Sequence, residues 1–222
     1  MTTTSDTLAR AALAFIDQHG VDALTIRALG QEVDMHHTAV YRHYRSKNEL
    51  LRAVFGIVIA NAFEPSVFLL EDPKDRLFAL ISGLRTALHA HPAVTVAYLL
   101  PVETLADTDA VSQVHRITVD ALHELGLDGP ELVVRFQMLE SYALGASVFD
   151  FGGAPDHVSS RRRRHAMLAI PELSTLAVSD EQVEDVSERA FALGLRILLD
   201  ECAVAGRRTR SREGSEANLT NT

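Results

Sequence analysis

The chain has 222 residues, 47% of them apolar, which is enough to bury a real core without metal or disulfide staples. Its single cysteine, Cys202, rules out an internal disulfide and suits a reducing cytoplasm; no apolar run reaches the roughly 18 to 20 residues that span a bilayer, and the start MTTTSDTLAR lacks the basic and apolar regions of a secretory signal. The net charge of −9 argues against a polyanionic partner, yet residues 1–55 carry six Lys/Arg against six Asp/Glu and four of the ten histidines, so the whole deficit lies beyond them and any anionic partner is expected near the N-terminus.

In chain order, the first periodic segment is DTLARAALAFIDQHG, where Leu8, Ala12, Phe15 and Ile16 recur at helical spacing and Gly20 stands as a C-terminal cap. Thr25 caps a second helix whose face is Ile26, Leu29 and Val33. After VDMHH, a short third helix is expected from about His37 to His43. Ser46 then caps a fourth, with Glu49 completing a capping box ahead of the apolar stripe in ELLRAVFGIVIANAF.

Two helices joined by a short turn, the second short and polar, form a helix-turn-helix. On the third helix Val40 is the inward anchor and Tyr44 packs at its end, which leaves His37, Thr38, Tyr41, Arg42 and His43 outward. Tyrosine hydroxyls and lysines bond phosphates, and arginine bonds guanine in the major groove. Lys47, at the positive start of the fourth helix, stands where a backbone phosphate would meet it. On composition alone such a cluster is an ordinary solvated face.

The stretch LTIRALGQEVDMHHTAVYRHYRSKNELL, residues 24–51, resembles without gaps the DNA-binding segment of the tetracycline-repressor (TetR) family of bacterial transcriptional regulators. The resemblance rests on the Leu-Thr start, Arg27, Leu29, the Val40-Tyr41 pair, His43, Tyr44 and Ser46-Lys47. It implies DNA contact by Arg27, His37, Thr38, Ala39, Tyr41, Arg42, His43 and Lys47. Asp34 departs from the pattern, which has glycine in this turn; aspartate enters the left-handed conformation at modest cost, so the turn is expected to survive. A metal set built on His36, His37 and His43 is not expected, since consecutive helical residues point apart and nothing completes the ligand set.

Beyond residue 65 the sequence reads as further helices over KDRLFALISGLRTALHAH, AVTVAYLL and DAVSQVHRITVDALHELG, closed by Pro92, Pro101 and Gly126. Over this part the resemblance is architectural. It implies a ligand cavity, for which the apolar candidates are Phe68, Leu84, Leu88, Val96, Leu99, Val119 and Tyr142, although plain core packing accounts for each equally well. Polar candidates are His89, Tyr98, His115 and Tyr142, with Glu103 and Glu140 suited to a cation if they face inward. Two later stripes suit self-association: Leu132, Phe136, Leu139 and Ala143 on one helix, and Val186, Ala190, Gly194 and Ile197 on another, where Ala190 and Gly194 permit close approach. Burial within one subunit is the alternative. SSRRRRH, residues 159–165, reads as solvated charge, and residues 206–222 are too polar to fold by themselves.

The expected architecture is therefore all-α: an N-terminal three-helix helix-turn-helix domain over residues 1–46, a larger effector-binding and dimerisation domain over 47–205 entered by a linking helix over 47–65, and a disordered tail over 206–222. The expected function is a cytoplasmic, ligand-responsive regulator, most simply a repressor. It would bind an inverted-repeat operator in double-stranded DNA as a homodimer and leave it when a small, mostly apolar effector binds. An activator of the same fold and a helical small-molecule enzyme are the alternatives. No serine-hydrolase elbow, phosphate-binding glycine loop, zinc-protease helix or dinucleotide motif is present, so no catalysis, metal, cofactor or membrane partner is expected.

Overall fold

The computed structural model describes residues 3–99, 108–151 and 180–219, and among them the chain is all helical. The helices are α1 (Thr4–His19), α2 (Ile26–Glu32), α3 (His37–Tyr41), α4 (Lys47–Ala60), α5 (Pro73–Ala90), α6 (Pro92–Leu99), α7 (Asp109–Glu124), α8 (Gly129–Phe151) and α9 (Asp180–Leu219), with a 3-10 turn at Pro65–Leu69. They fall into two compact units, which divide within α5 and α7. One holds the described residues of Met1–Ala62 and Thr86–Gln113; the other holds those of Phe63–Arg85, Val114–Gly152 and Asp156–Thr222.

The first unit is built on α1, α4 and α6, which pack on one another. Thr3 and Asp6 close a reciprocal capping box at the start of α1, which buries Leu8, Ala9, Ala12, Leu13 and Ile16 and stops at Gly20 with φ 80°. Phe15, expected on the same face, is instead half-buried and packs its ring on His19. From α4, Leu50, Val54, Phe55, Val58 and Ile59 turn inward. The α5–α6 corner is pinned by the Thr95 hydroxyl, which lies 3.0 Å from the carbonyls of both Leu88 and His91. The expected linking helix ends early, at Ala60, and it packs with the N-terminal helices.

The second unit has one continuous core in which Leu77, Ile81, Leu122, Leu127, Leu139, Leu195 and Leu199 meet. Arg85 is 2% exposed there, ion-paired with Glu188 and stacked 4.6 Å from the Phe191 ring centroid. A buried charge is tolerated only when it is paired in this way. Close contact between α8 and α9 depends on Gly194, because a Cβ there would collide with the Tyr142 hydroxyl. That hydroxyl donates to the Phe191 carbonyl at 2.8 Å, and the Tyr142 ring stacks on Phe191.

Two expectations change. The chain does not leave the fold at residue 206: α9 continues to Leu219, and Gly206 is buried so tightly against the Leu125–Gly126 backbone that a side chain would not fit. Composition does not reveal this, because a polar segment that continues an established helix does not bear the cost of nucleation. The stripe of Leu132, Leu139 and Ala143, expected at a dimer interface, is consumed by the core of its own unit. The arginine run at residues 159–165 lies outside the described residues.

Candidate nucleic-acid interface

A five-residue helix cannot hold itself together, so the geometry of α3 is imposed by its surroundings. The turn before it is tight. Asp34 adopts φ 51°, the only positive value at a non-glycine residue among those described, and the Met35 amide donates to the Gly30 carbonyl at 2.7 Å. Gly30 must lack a side chain, since its Cβ would lie 2.7 Å from the Met35 carbonyl oxygen. The aspartate therefore does occupy the left-handed conformation for which the resemblance has glycine. At the helix itself, His36 serves as the N-cap, with its Nδ1 2.8 Å from the Thr38 hydroxyl. Nothing in the sequence singles out this cap, because His36 there is one more polar residue.

Val40 is fully buried and anchors α3 from below, while Tyr44 is buried just beyond its end. Two side chains following the helix reach back to α1: the Tyr44 hydroxyl donates to the Ser5 carbonyl at 2.8 Å, and His43 Nδ1 lies 3.1 Å from Ser5 Oγ. Helix α4 begins on the expected cap, with Ser46 Oγ accepting from the Glu49 amide at 3.1 Å. The Glu49 carboxylate overshoots the capping-box position and accepts instead from the Arg45 amide at 2.7 Å. The Lys47 ammonium donates to the Val21 carbonyl at 2.6 Å, which ties the α1–α2 loop to the start of α4. Lys47 thus has a structural partner that the sequence does not disclose, and two further N–H bonds for any phosphate.

The residues expected to contact DNA divide into an exposed set and a half-buried set. Thr38, Tyr41 and Arg42 are exposed, Tyr41 to 50%, as is Arg27 on α2; His37, Ala39 and His43 are half-buried. Arg42 and His43 lie in the turn after Tyr41, since α3 ends sooner than expected. Hydroxyl, phenol and guanidinium groups on one short, rigidly held segment are the donors that phosphates and base edges require.

The other candidate residues are more scattered. Leu88 and Val96 belong to the first unit; Phe68, Leu84, Val119 and Tyr142 belong to the second, where Val119 and Tyr142 pack against its core. The side chain of Leu99 lies outside the described residues. An open depression of about 250 Å³ between α5 and α9 is lined by Lys74, Asp75, Phe78, Arg196, Leu199 and Asp200, none of them an expected effector contact. Of the expected dimer residues, Phe136 and Val186 are half-buried, Ala190 is exposed and Ile197 is 55% exposed. Among the described residues no group of three or more His, Cys, Asp or Glu is placed to hold a metal ion, and no helix is long and apolar enough to cross a membrane.

Comparison with known proteins agrees with this geometry. Residues 8–54 match the family of bacterial regulatory proteins, tetR family. The chain is 28% identical over 215 residues to the tetracycline repressor protein class A from transposon 1721 of Escherichia coli, covering 94% of both chains. In fold it is similar to a possible TetR family transcriptional regulator from Streptomyces coelicolor A3(2), with TM-score 0.70, 23% identity and coverage of 90% of this chain and 99% of that one. It is also similar to the Streptomyces coelicolor TetR family protein ActR in complex with actinorhodin, with TM-score 0.64, 22% identity and coverage of 93% and 99%.

Proposed function

Because residues 8–54 match the tetR family of bacterial regulatory proteins, we propose that this chain is a ligand-responsive repressor, a homodimer that occupies an inverted-repeat operator through α3 and leaves it on binding a small effector. The observation that carries this reading is the posture of α3: Val40 is locked beneath it while Thr38, Tyr41 and Arg42 stand exposed above. A helix that existed only to fill a core would not be tethered at both ends with its donors facing water.

The dimer surface is proposed on the exposed apolar residues of the second unit. Val133 and Val134 on α8 and Leu193 and Ile197 on α9 are each more than half exposed, which monomeric proteins avoid in clusters. A two-fold pairing of α8 and α9 with their copies would cover them. For the effector, the complex of the similarly folded ActR with actinorhodin supports a ligand-binding reading. Within the second unit, Phe68, Leu84, Val119 and Tyr142 remain the proposed lining, which favours a mostly apolar ligand held by few polar groups. Such a ligand releases DNA only by binding the released form more tightly than the operator-bound form.

The test is a gel-shift with the full chain against genomic fragments, followed by a thermal-shift screen of fatty acids, steroids, aromatic acids and cationic dyes. Hits should both raise the melting temperature and free the bound fragment. Release only by strongly polar or multiply anionic compounds would contradict the apolar lining.

A further inference from the structure

We propose that Ser5 is a positioning residue for DNA recognition, which acts through His43 by holding its ring so that Nε2–H is presented to an operator phosphate. The inference rests on the reading of α3 as the recognition helix. Ser5 lies in the first turn of α1, 38 positions before His43, yet its hydroxyl meets His43 Nδ1 at 3.1 Å and its carbonyl accepts from Tyr44 at 2.8 Å. One residue therefore grips two consecutive side chains of the segment that leaves α3.

The Ser5 hydroxyl has no duty within its own helix. The N-cap of α1 is Thr3, whose side chain accepts from the Asp6 amide at 3.2 Å while Asp6 accepts from the Thr3 amide at 3.1 Å. What the hydroxyl does provide is a partner for an imidazole nitrogen. A hydroxyl rotates to suit: it donates to Nδ1 when a neutral ring carries its proton on Nε2, and accepts from Nδ1–H when the ring is charged or carries its proton on Nδ1, so the contact fixes where the ring sits, and Nε2 is a donor in the first two of these three states. A phosphate accepts hydrogen bonds and never donates them when ionised, so only a protonated Nε2 can bind it.

The location suits a phosphate better than a base. In helix-turn-helix proteins the N-terminal part of the recognition helix reaches base edges, and the far end of such helices meets the backbone. His43 stands two positions beyond Tyr41, the last residue of α3. With the Ser5 hydroxyl removed, the ring is free to rotate, and its ordering is paid for only when DNA arrives.

The experiment uses the full-length protein and a duplex recovered by its own selection from a random-sequence library. Ser5→Ala should weaken binding by about 3- to 10-fold, the worth of one hydrogen bond, with the same ranking of single-base variants and an unchanged melting temperature for the free protein. Ser5→Thr should restore affinity. The double variant Ser5→Ala/His43→Ala should bind no worse than His43→Ala alone, because the serine acts only through the ring. Side-chain magnetic resonance should show one ordered ring position for His43 in the wild type and rotamer averaging in Ser5→Ala. Additive losses, unaltered affinity in Ser5→Ala, or a fall in melting temperature with the ordering of the ring unchanged would each overturn the proposal. If Arg42→Ala and His43→Ala both bind the selected duplex like the wild type, the recognition-helix reading itself fails, and the proposal falls with it.

Discussion

The helix-turn-helix and the α8–α9 pair are both short on redundancy, but in opposite ways. Around α3 each residue type meets one physical demand, with a small residue at Gly30, a left-handed turn at Asp34, a buried aliphatic at Val40 and exposed donors at Tyr41 and Arg42. Along α8 and α9 an apolar residue serves equally well in a core, a cavity wall or an interface, and the helical period alone does not choose among them. Chemistry that needs particular atoms leaves a mark in the sequence, whereas chemistry that needs only volume does not.

The sharpest way to break this contrast is at Gly194. Gly194→Glu would drive bulk and charge into the Tyr142 hydroxyl, so it should cost about 3 kcal/mol or more of folding stability and unfold the second unit before any effect on assembly is seen. Its companion, Ile197→Glu, sits on the exposed side of the same helix and should stay within about 0.5 kcal/mol of wild-type stability while converting dimer to monomer. Thermal melts and light scattering on both variants separate core from interface; a well-folded Gly194→Glu protein would show that the two helices do not need so close an approach.

A smaller effect is expected at Lys47, where the two regions differ in how far one residue serves two ends. Lys47→Ala should reduce affinity for all DNA sequences alike and flatten the logarithmic salt dependence by about 0.9, and it should also lower the melting temperature slightly through the lost bond to Val21. A pure phosphate ligand would leave the melting temperature alone, and a pure tether would leave the salt slope alone.

The smallest effect concerns Cys202 in the second core, where burial pushes the thiol up to about 11. Because its folded value is raised, the group stabilises the fold fully below its ordinary range, and that contribution is lost as pH rises from about 9 toward 11. At pH 8 the folded protein should therefore react with a thiol reagent only as fast as it opens. Rapid modification without denaturant would place Cys202 at the surface.

The same contrast decides how much of the molecule is legible in its sequence. The order of helices, the Thr25 and Ser46 caps, the buried Val40 and the left-handed Asp34 all follow from local rules, and local rules are written in neighbouring residues. The tethers from Ser5 and Val21 join residues far apart in sequence, and one of the acceptors is a backbone carbonyl that no side-chain motif announces. His36 as a cap escapes a sequence reading because histidine is not a usual N-cap residue. The expected dimer stripe fails on α8, where Leu132, Leu139 and Ala143 satisfy the helical period of an interface and the core claims them.

The central claim, that α3 reads DNA as part of a two-fold dimer, is tested most directly by selecting duplexes from a random library with the wild type and with Arg42→Ala in parallel. The wild type should enrich an inverted repeat whose half-site centres lie about 34 to 36 Å apart or a multiple of that spacing. Arg42→Ala should lose about 1 to 3 kcal/mol and relax the preference at one base pair, placed symmetrically in both half-sites. A wild-type pool with no enriched sequence, or an Arg42→Ala pool identical to it in preference and affinity, would contradict the account.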